Sequence, residues 1–579
     1  MNLVVHATHE AGVKVGGIGA VLDGLLGAQA YNDAVQRTVL IGPYDPEDGL
    51  EMERLRARRN GFTTLYHTRE GISNVPQAVA LAFHRVQGYH GVSILYGKRK
   101  FGAVEHEVIL VDSRSARADA INDLKAWLYA EHGLHSTKYE NYSEFNYFMG
   151  GAVAQINALN ALVGTVEGAY FMAHEWLGLP ALFAAQRHLP GQFKSIFYAH
   201  ETATVRGVVE SHPGHDLRFY NVMRLAQERG LSLEQCFGDK SGNFKHAFLK
   251  AALSLDGLFA VGDLVKEELL FLEPSLKPER IDLVYNGVPS QPVTPEAKWN
   301  SKRLLQEYAY ALYRFVPTWV FSHVTRLVPS KGIWRDFRVM ERLDGYLQQA
   351  NETAIFYLLS SVRPTGRRSE DIFRWEWEYG WPLNHRADNG DLIAYEWDYW
   401  QAVEQFNRTA QASRIVFINQ FGWSRDRCGN RMPAEMEFAD LRRGADVEFG
   451  QSIYEPFGIA QVEPLSSGAL CAVSTACGCI GFVRDAGGTN SPNIVIGDYL
   501  HLPEWAMTNQ LPDVFDIGRY QRDSVEASVA NEVAQQILYR LPRSPEVAAQ
   551  LLEEGTVLSQ KMSWDVVARD YLMPAMERL

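Results

Sequence analysis

The chain has 579 residues, 46% apolar and 22% charged. That globular mixture excludes a disordered, collagenous or coiled-coil protein and is long enough for two large domains. Lys and Arg number 56 against 69 Asp and Glu, a net charge of −13, which argues against nucleic-acid or anionic-membrane partners because these need a basic footprint.

The opening MNLVVHATHEAG has no basic stretch ahead of an apolar one, so no secretory signal is expected. No apolar run approaches the roughly 18 residues that span a bilayer. Five cysteines, Cys236, Cys428, Cys471, Cys477 and Cys479, fit a reducing cytoplasm rather than a disulfide framework. Cys477 and Cys479 lack CxxC spacing and a nearby His, so small buried thiols are expected there rather than a metal site.

In chain order, strand-like apolar runs alternate with helix-length amphipathic stretches, the signature of an α/β protein. Residues 2–6 and 38–42 read as buried strands flanking a glycine-rich turn and a helix over 20–29. Further strands are expected at 108–111, 169–172, 195–198, 258–261 and 281–284. Residues 286–302, with Pro289, Pro292 and Pro295, read as a linker. A second strand-rich unit follows, with strands at 319–324, 355–359, 415–418, 447–449 and 470–473. Trp375, Trp377, Trp381, Trp397 and Trp400 lie within 26 residues of one another. They mark an insertion at about 363–410 that reads as a packed aromatic subdomain or an oligomer contact, or else as a sugar-binding platform.

Three motifs carry chemistry. Lys14-Val-Gly-Gly-Ile-Gly19 follows the first strand and opens a helix. Glycines there let backbone approach a ligand, and a helix N-terminus offers N–H groups to an anion; a tight strand–helix turn would look the same. Arg326-Leu-Val-Pro-Ser-Lys331-Gly332 leaves the strand that opens the second unit, where two cations suit a diphosphate; a solvated surface pair is the alternative. Tyr454-Glu455-Pro-Phe457-Gly458-Ile-Ala-Gln-Val-Glu463 places two carboxylates eight residues apart, a spacing that returns to one helix face.

These motifs, with His174-Glu-Trp176, the YAHETATVRG stretch containing His200, and NGV, stand in an order that resembles the retaining glycosyltransferases of the glycogen and starch synthase type. The first-domain motifs are similar to eukaryotic and archaeal glycogen synthases. The EPFGI segment is closer to sucrose- and trehalose-related transferases. The resemblance implies a GT-B fold: two Rossmann-like domains facing across a deep cleft, with a C-terminal helix crossing back to the first. The domains would be 1–300 completed by 561–579, and 301–560 carrying the insertion. The insertion lies outside the resemblance.

By the same resemblance, Lys14, Gly16 and Gly17 border the donor's diphosphate and sugar. Arg326 and Lys331 clamp the diphosphate, Glu463 holds the ribose, and Phe457 and Gly458 complete the donor site. Glu455 bonds the transferred sugar and stabilises developing positive charge, and His200 sits beside the anomeric centre or the C6 hydroxyl. His174 and Trp176 lie towards the acceptor. Glu455, His200 and Lys14 form the expected catalytic set, with no metal and no cofactor beyond an ADP-, UDP- or GDP-sugar donor. The expected reaction is transfer of a sugar, glucose by resemblance, to an α-glucan. A small acceptor of the sucrose or trehalose type is the first alternative, and a non-catalytic glucan-binding protein the second. Two departures stand out. Leu177 replaces a His found in bacterial and plant synthases, and Pro464 follows Glu463, where it should disturb the helix ladder. Cytoplasmic location and an open question of homo-oligomerisation complete the reading.

Overall fold

Runs such as Leu3-Val-Val-His-Ala7, buried along their whole length, can persist only where helices cover both faces of a parallel sheet. The computed structural model describes residues 1–362 and 366–579. It contains two such sheets, each in its own unit. The first unit comprises Met1–Val205, Ala226–Gly287 and Trp564–Leu579, and the second Arg206–Leu225 and Val288–Ser563.

The first unit holds strands β1 (Leu3–Ala7), β2 (Thr38–Pro43), β3 (Thr63–His67), β4 (Ile72–Ser73), β5 (Ser93–Phe101), β6 (Val104–Asp112), β7 (Ala169–His174), β8 (Phe193–Ala199), β9 (Gly257–Ala260) and β10 (Ile281–Leu283). Their order is β10-β9-β8-β7-β1-β2-β6-β5-β3-β4. β1 pairs in parallel with β2 on one side and β7 on the other. The strand order therefore reverses beside β1, the kind of point at which open α/β sheets bind ligands. β5 pairs antiparallel with β6 and β3, forming an edge that the apolar-run pattern did not predict.

The second unit holds β11 (Trp319–Thr325), β12 (Ala354–Ser360), β13 (Ser413–Ile418), β14 (Val447–Gly450), β15 (Leu470–Ser474) and β16 (Ile494–Gly497). The order β13-β12-β11-β14-β15-β16 is parallel throughout and reverses beside β11. The stretch read as a linker is helical from Pro295: helix Pro295–Tyr313 has its N-cap at Thr294, whose hydroxyl accepts the Ala297 N–H at 3.2 Å. Pro295 at the first helical position is a start signal, since its missing N–H would be unpaired there anyway.

Residues 206–225 join the second unit through Arg335. Its guanidinium is fully buried between Asp216 at 2.7 Å and Glu526 at 2.9 Å and lies 3.9 Å from the centre of the Tyr499 ring. Burial pushes the Asp216 carboxyl up despite the Arg335 charge. Removing one member of such a buried set typically costs about 3–5 kcal/mol, because the other charge is left uncompensated.

The C-terminal segment closes on the first unit. Trp564 lies so close over Gly24 that a Cβ there would stand 2.0 Å from the indole nitrogen, and a Cβ on Gly287 would stand 2.6 Å from the ring. Asp565 accepts the Ala30 N–H at 2.9 Å.

The aromatic insertion begins at residues outside those described, 363–365, and continues as helices Ile372–Tyr379 and Glu396–Thr409 between β12 and β13. Trp375 and Trp381 are buried in one core with Tyr308, Tyr357 and Trp423, whereas Trp377 is 86% exposed. Three of the five tryptophans that mark the insertion, Trp375, Trp381 and Trp400, are therefore buried. Trp381→Ala should destabilise the protein by about 3–5 kcal/mol. Trp377→Ala should stay within about 0.5 kcal/mol of the parent, and urea midpoints of the two variants check the contrast.

Candidate functional site

The loop after β1 carries the first motif. Glu10, 2% exposed, accepts the N–H groups of Val15 at 2.5 Å and Gly16 at 2.6 Å. Two donors that the glycine pattern offered to an anion are thus held by the chain's own carboxylate. Gly19 makes this possible, because a Cβ there would stand 2.3 Å from the Glu10 Oε2. Helix α1 (Gly17–Gly27) then starts with Gly16 as its N-cap and no side-chain cap, and Gly16 and Gly17 are exposed. Lys14 reaches Asp23 at 3.4 Å. Arg99 also binds Asp23, at 2.8 Å, and donates to the carbonyls of Glu10 and Ala11 at 3.1 and 3.2 Å. Glu10 and Arg99 escape sequence reading, as their contacts are made across the fold.

The neighbouring strands β1, β7 and β8 bring three histidines into line. His6 Nδ1 lies 2.8 Å from His174 Nε2, and His174 Nδ1 lies 2.9 Å from His200 Nε2. His6 and His174 are fully buried and His200 is partly exposed. Burial, with the neighbouring imidazoles adding to it, holds His6 and His174 well below the usual value, and burial with His9 holds His200 down to about 3. His174, expected to face an acceptor, instead lies inside this line. Trp176 is buried too, against Phe148 and Phe244 at ring separations of 5.2 and 5.1 Å, with the Lys245 ammonium 4.9 Å from its ring centre. Neither residue presents a surface. The buried Glu175 between them has a left-handed φ of 61°. Its carboxylate accepts the N–H groups of Trp176 at 3.2 Å and Glu201 at 3.0 Å, joining the ends of β7 and β8.

In the second unit, the loops after β11 and β14 leave adjacent strands. The Ser330 carbonyl accepts the N–H groups of Ile453 at 2.9 Å and Tyr454 at 3.1 Å. Gly332 is left-handed at φ 57°, and a Cβ there would stand 2.5 Å from the Gln451 carbonyl, so only glycine lets the loops approach this closely. The result is an ion pair between Lys331 and Glu455, each 14% exposed. Arg326, one residue past β11, is exposed and has no charged partner among the described residues.

Glu463 is not two turns inside a continuous helix. Gly458 turns left-handed at φ 89°, a four-residue helix Ile459–Val462 follows, and the chain tightens into a 3₁₀ turn, Glu463–Ser467, at Pro464. Glu463 is instead fixed by Arg442, 3.2 Å away, which also binds the fully buried Glu448 at 2.9 Å. Phe457 is buried against Phe482, so its ring cannot line a ligand site. The Cys477 thiol, pushed up to about 11 by burial, donates to the Gly450 carbonyl at 3.2 Å. Among the described residues no three His, Cys, Asp or Glu groups are placed to hold a metal ion, and no helix is long and apolar enough to cross a membrane.

The buried imidazoles dictate a pH response. Unfolded, each takes up a proton near pH 6.5; folded, His6 and His174 protonate only well below that and His200 near 3. Between these values the unfolded state binds more protons, so stability is full above about pH 7.5 and falls as pH drops towards 4. Each imidazole contributes up to about 1.4 kcal/mol per pH unit. Urea midpoints taken from pH 8 to pH 5 should fall steeply in the parent and less steeply in His200→Gln.

No family model matches the sequence, and no curated protein matches it. Solved structures do match along the whole chain. One is trehalose-6-phosphate from E. coli bound with UDP-2-fluoro glucose, at 11% identity and a TM-score of 0.50, with 99% of each chain covered. Another is an α,α-trehalose-phosphate synthase (UDP-forming) from Burkholderia vietnamiensis, at 13% identity and 0.52, covering 100% of this chain and 99% of that one. A third is the Burkholderia xenovorans α,α-trehalose-phosphate synthase (UDP-forming) in complex with glucose-6-phosphate, at 12% identity and 0.50, covering 100% of both. At these identities the likeness establishes architecture, and the architecture is that of the GT-B fold.

Proposed function

We propose that this protein is a retaining glycosyltransferase that moves a hexosyl group from a nucleotide sugar to a small sugar or sugar-phosphate acceptor. The observation that carries the reading is the arrangement at the strand reversal of the second unit. There the Lys331–Glu455 pair and the unpartnered Arg326 occupy the carboxyl ends of a GT-B sheet, where the fold binds ligands. The small-acceptor form is favoured over an α-glucan because solved structures of the same fold include trehalose-phosphate synthases, one of them in complex with glucose-6-phosphate, and another such structure is bound with UDP-2-fluoro glucose. Burial of Trp375 and Trp381 also removes part of the aromatic surface that a glucan reading would use. Glucose is the expected sugar and UDP the first nucleotide to try.

In this reading Arg326 and Lys331 bind the donor's diphosphate, and their attraction grows as the departing phosphate gains charge. Glu463, held by Arg442, accepts hydrogen bonds from the ribose. Glu455 supplies the fixed negative charge that stabilises an oxocarbenium-like state. On the first unit, Lys14, the exposed Gly16–Gly17 turn and the partly exposed His200 are the groups open to a sugar. The leaving phosphate takes the acceptor's proton.

The test is a panel of UDP-, ADP- and GDP-sugars against glucose 6-phosphate, glucose, fructose, maltooligosaccharides and glycogen, read by diphosphate release. Turnover with a sugar phosphate or monosaccharide supports the proposal. Turnover with glycogen alone replaces it by the glucan reading, and hydrolysis or silence across the panel refutes both.

With an active pair in hand, Glu455→Gln should lower kcat about a hundredfold or more in a protein that still folds; near-normal turnover would remove Glu455 from the chemistry. Arg326→Ala should weaken the free nucleoside diphosphate in calorimetry by about tenfold or more, the scale of one charge-assisted contact, with no loss of stability. Activity should also persist in EDTA, because the Arg326 and Lys331 cations neutralise the leaving group. Loss reversed by Mg²⁺ would contradict that.

A further inference from the structure

The line of histidines continues inward beyond His6. His6 Nε2 lies 2.9 Å from the Tyr31 hydroxyl, which lies 3.0 Å from the Thr38 hydroxyl. Five side chains thus form one hydrogen-bonded row, Thr38, Tyr31, His6, His174 and His200, running from the interior to the partly exposed His200. The successive imidazole planes are nearly parallel, at 24° between His6 and His174 and 14° between His174 and His200. All three imidazoles are neutral at pH 7, so each carries one N–H and one bare nitrogen.

A row of this kind has two polarities. If every group donates inward, Tyr31 donates to Thr38, and the Thr38 hydroxyl hydrogen has no acceptor among the described residues, since Tyr31 is its side chain's one partner. Leaving a buried donor unpaired costs about 1–3 kcal/mol. If every group donates outward, each hydrogen is used. Thr38 donates to Tyr31, Tyr31 to His6 Nε2, His6 Nδ1–H to His174 Nε2, and His174 Nδ1–H to His200 Nε2. The His200 hydrogen then sits on Nδ1, which has no partner among the described residues.

We infer that the Thr38–Tyr31–His6–His174 row fixes His200 in its Nδ1–H tautomer, making it a preset hydrogen-bond donor for a ligand hydroxyl or ether oxygen. Because the inner end is a buried alcohol, the row cannot pass a proton on to solvent; it sets direction and nothing else. His6, His174 and Tyr31 are positioning residues, and His200 is the group that touches ligand. The identity of that ligand as the hexosyl part of a nucleotide sugar rests on the proposed function, whereas the tautomer does not.

The test is a long-range ¹H–¹⁵N correlation on full-length protein labelled with ¹⁵N-histidine, with His200 assigned from its loss in His200→Gln. A pyrrole-type Nδ1 and pyridine-type Nε2 on His200 are expected, and the opposite pattern overturns the inference. His174→Leu removes the donor that faces His200 Nε2 and should bring in the Nε2–H form. Thr38→Val leaves Tyr31 with His6 as its acceptor and should keep Nδ1–H. If both variants behave alike, the row does not set the tautomer. In calorimetry, His174→Leu should weaken UDP-glucose about threefold to tenfold, the loss of one neutral hydrogen bond, and leave UDP unchanged. Equal weakening of both ligands would refute the role towards the sugar. Failure of the parent to bind UDP-glucose would refute the proposed function and leave the tautomer result standing.

Discussion

A parallel sheet whose strand order reverses leaves a gap at its carboxyl edge, because the crossovers on either side of the reversal run to opposite faces. Both units are organised by that constraint. Beside β1 it gathers the last residue of β7, His174, and the loops after β1 and β8, which supply Glu10, Lys14 and His200. Beside β11 it gathers the loops after β11 and β14, which supply Arg326, Lys331 and Glu455. Residues hundreds of positions apart in sequence become neighbours because their strands end at one place.

Loops meeting at such an edge bring unpaired backbone N–H groups with them, and this protein satisfies many of them with buried carboxylates. Glu10 holds the glycine turn, Glu175 joins the ends of β7 and β8, and Glu448 binds the Val324 N–H at 3.2 Å while pairing with Arg442. Each anion is costly to bury alone and tolerable only with donors around it. The polar groups therefore depend on one another: Glu463 is oriented by Arg442, which is oriented by Glu448, which is anchored to β11. A ligand-facing side chain at the rim inherits its position from charges well inside the sheet.

The strands on the parallel core were legible because burial on both faces leaves uninterrupted apolar runs; residues 38–42, 319–324 and 355–359 all lie in strands, and 2–6 falls one residue early on Leu3–Ala7. The antiparallel edge β3–β5 was not, since half-buried strands such as Thr63–His67 mix polar and apolar residues. Resemblance put Lys331 and Glu455 in one donor site but did not foresee that they pair, as 124 residues separate them. Spacing misled at Glu463, where the eight-residue arithmetic assumed an unbroken helix that Gly458 and Pro464 interrupt. Resemblance misled at His174 and Trp176, whose motif says nothing about which way a side chain turns once the strand ends. Glu10, Arg99 and Arg442 were invisible because an isolated charge in a sequence looks the same whether it is solvated or clamped.

Neither unit is a continuous piece of chain, and this bears on how the molecule is made. Residues 206–225, whose Asp216 meets Arg335 in the second unit, leave the ribosome before any strand of that unit's sheet exists. The sixteen residues from Trp564 to Leu579, whose indole closes over Gly24 and Gly287, are synthesised only after the whole of 288–563. The unit translated first is thus completed last. Until then its glycine-floored groove over α1 stands open on the nascent chain, an apolar seat awaiting one particular tryptophan.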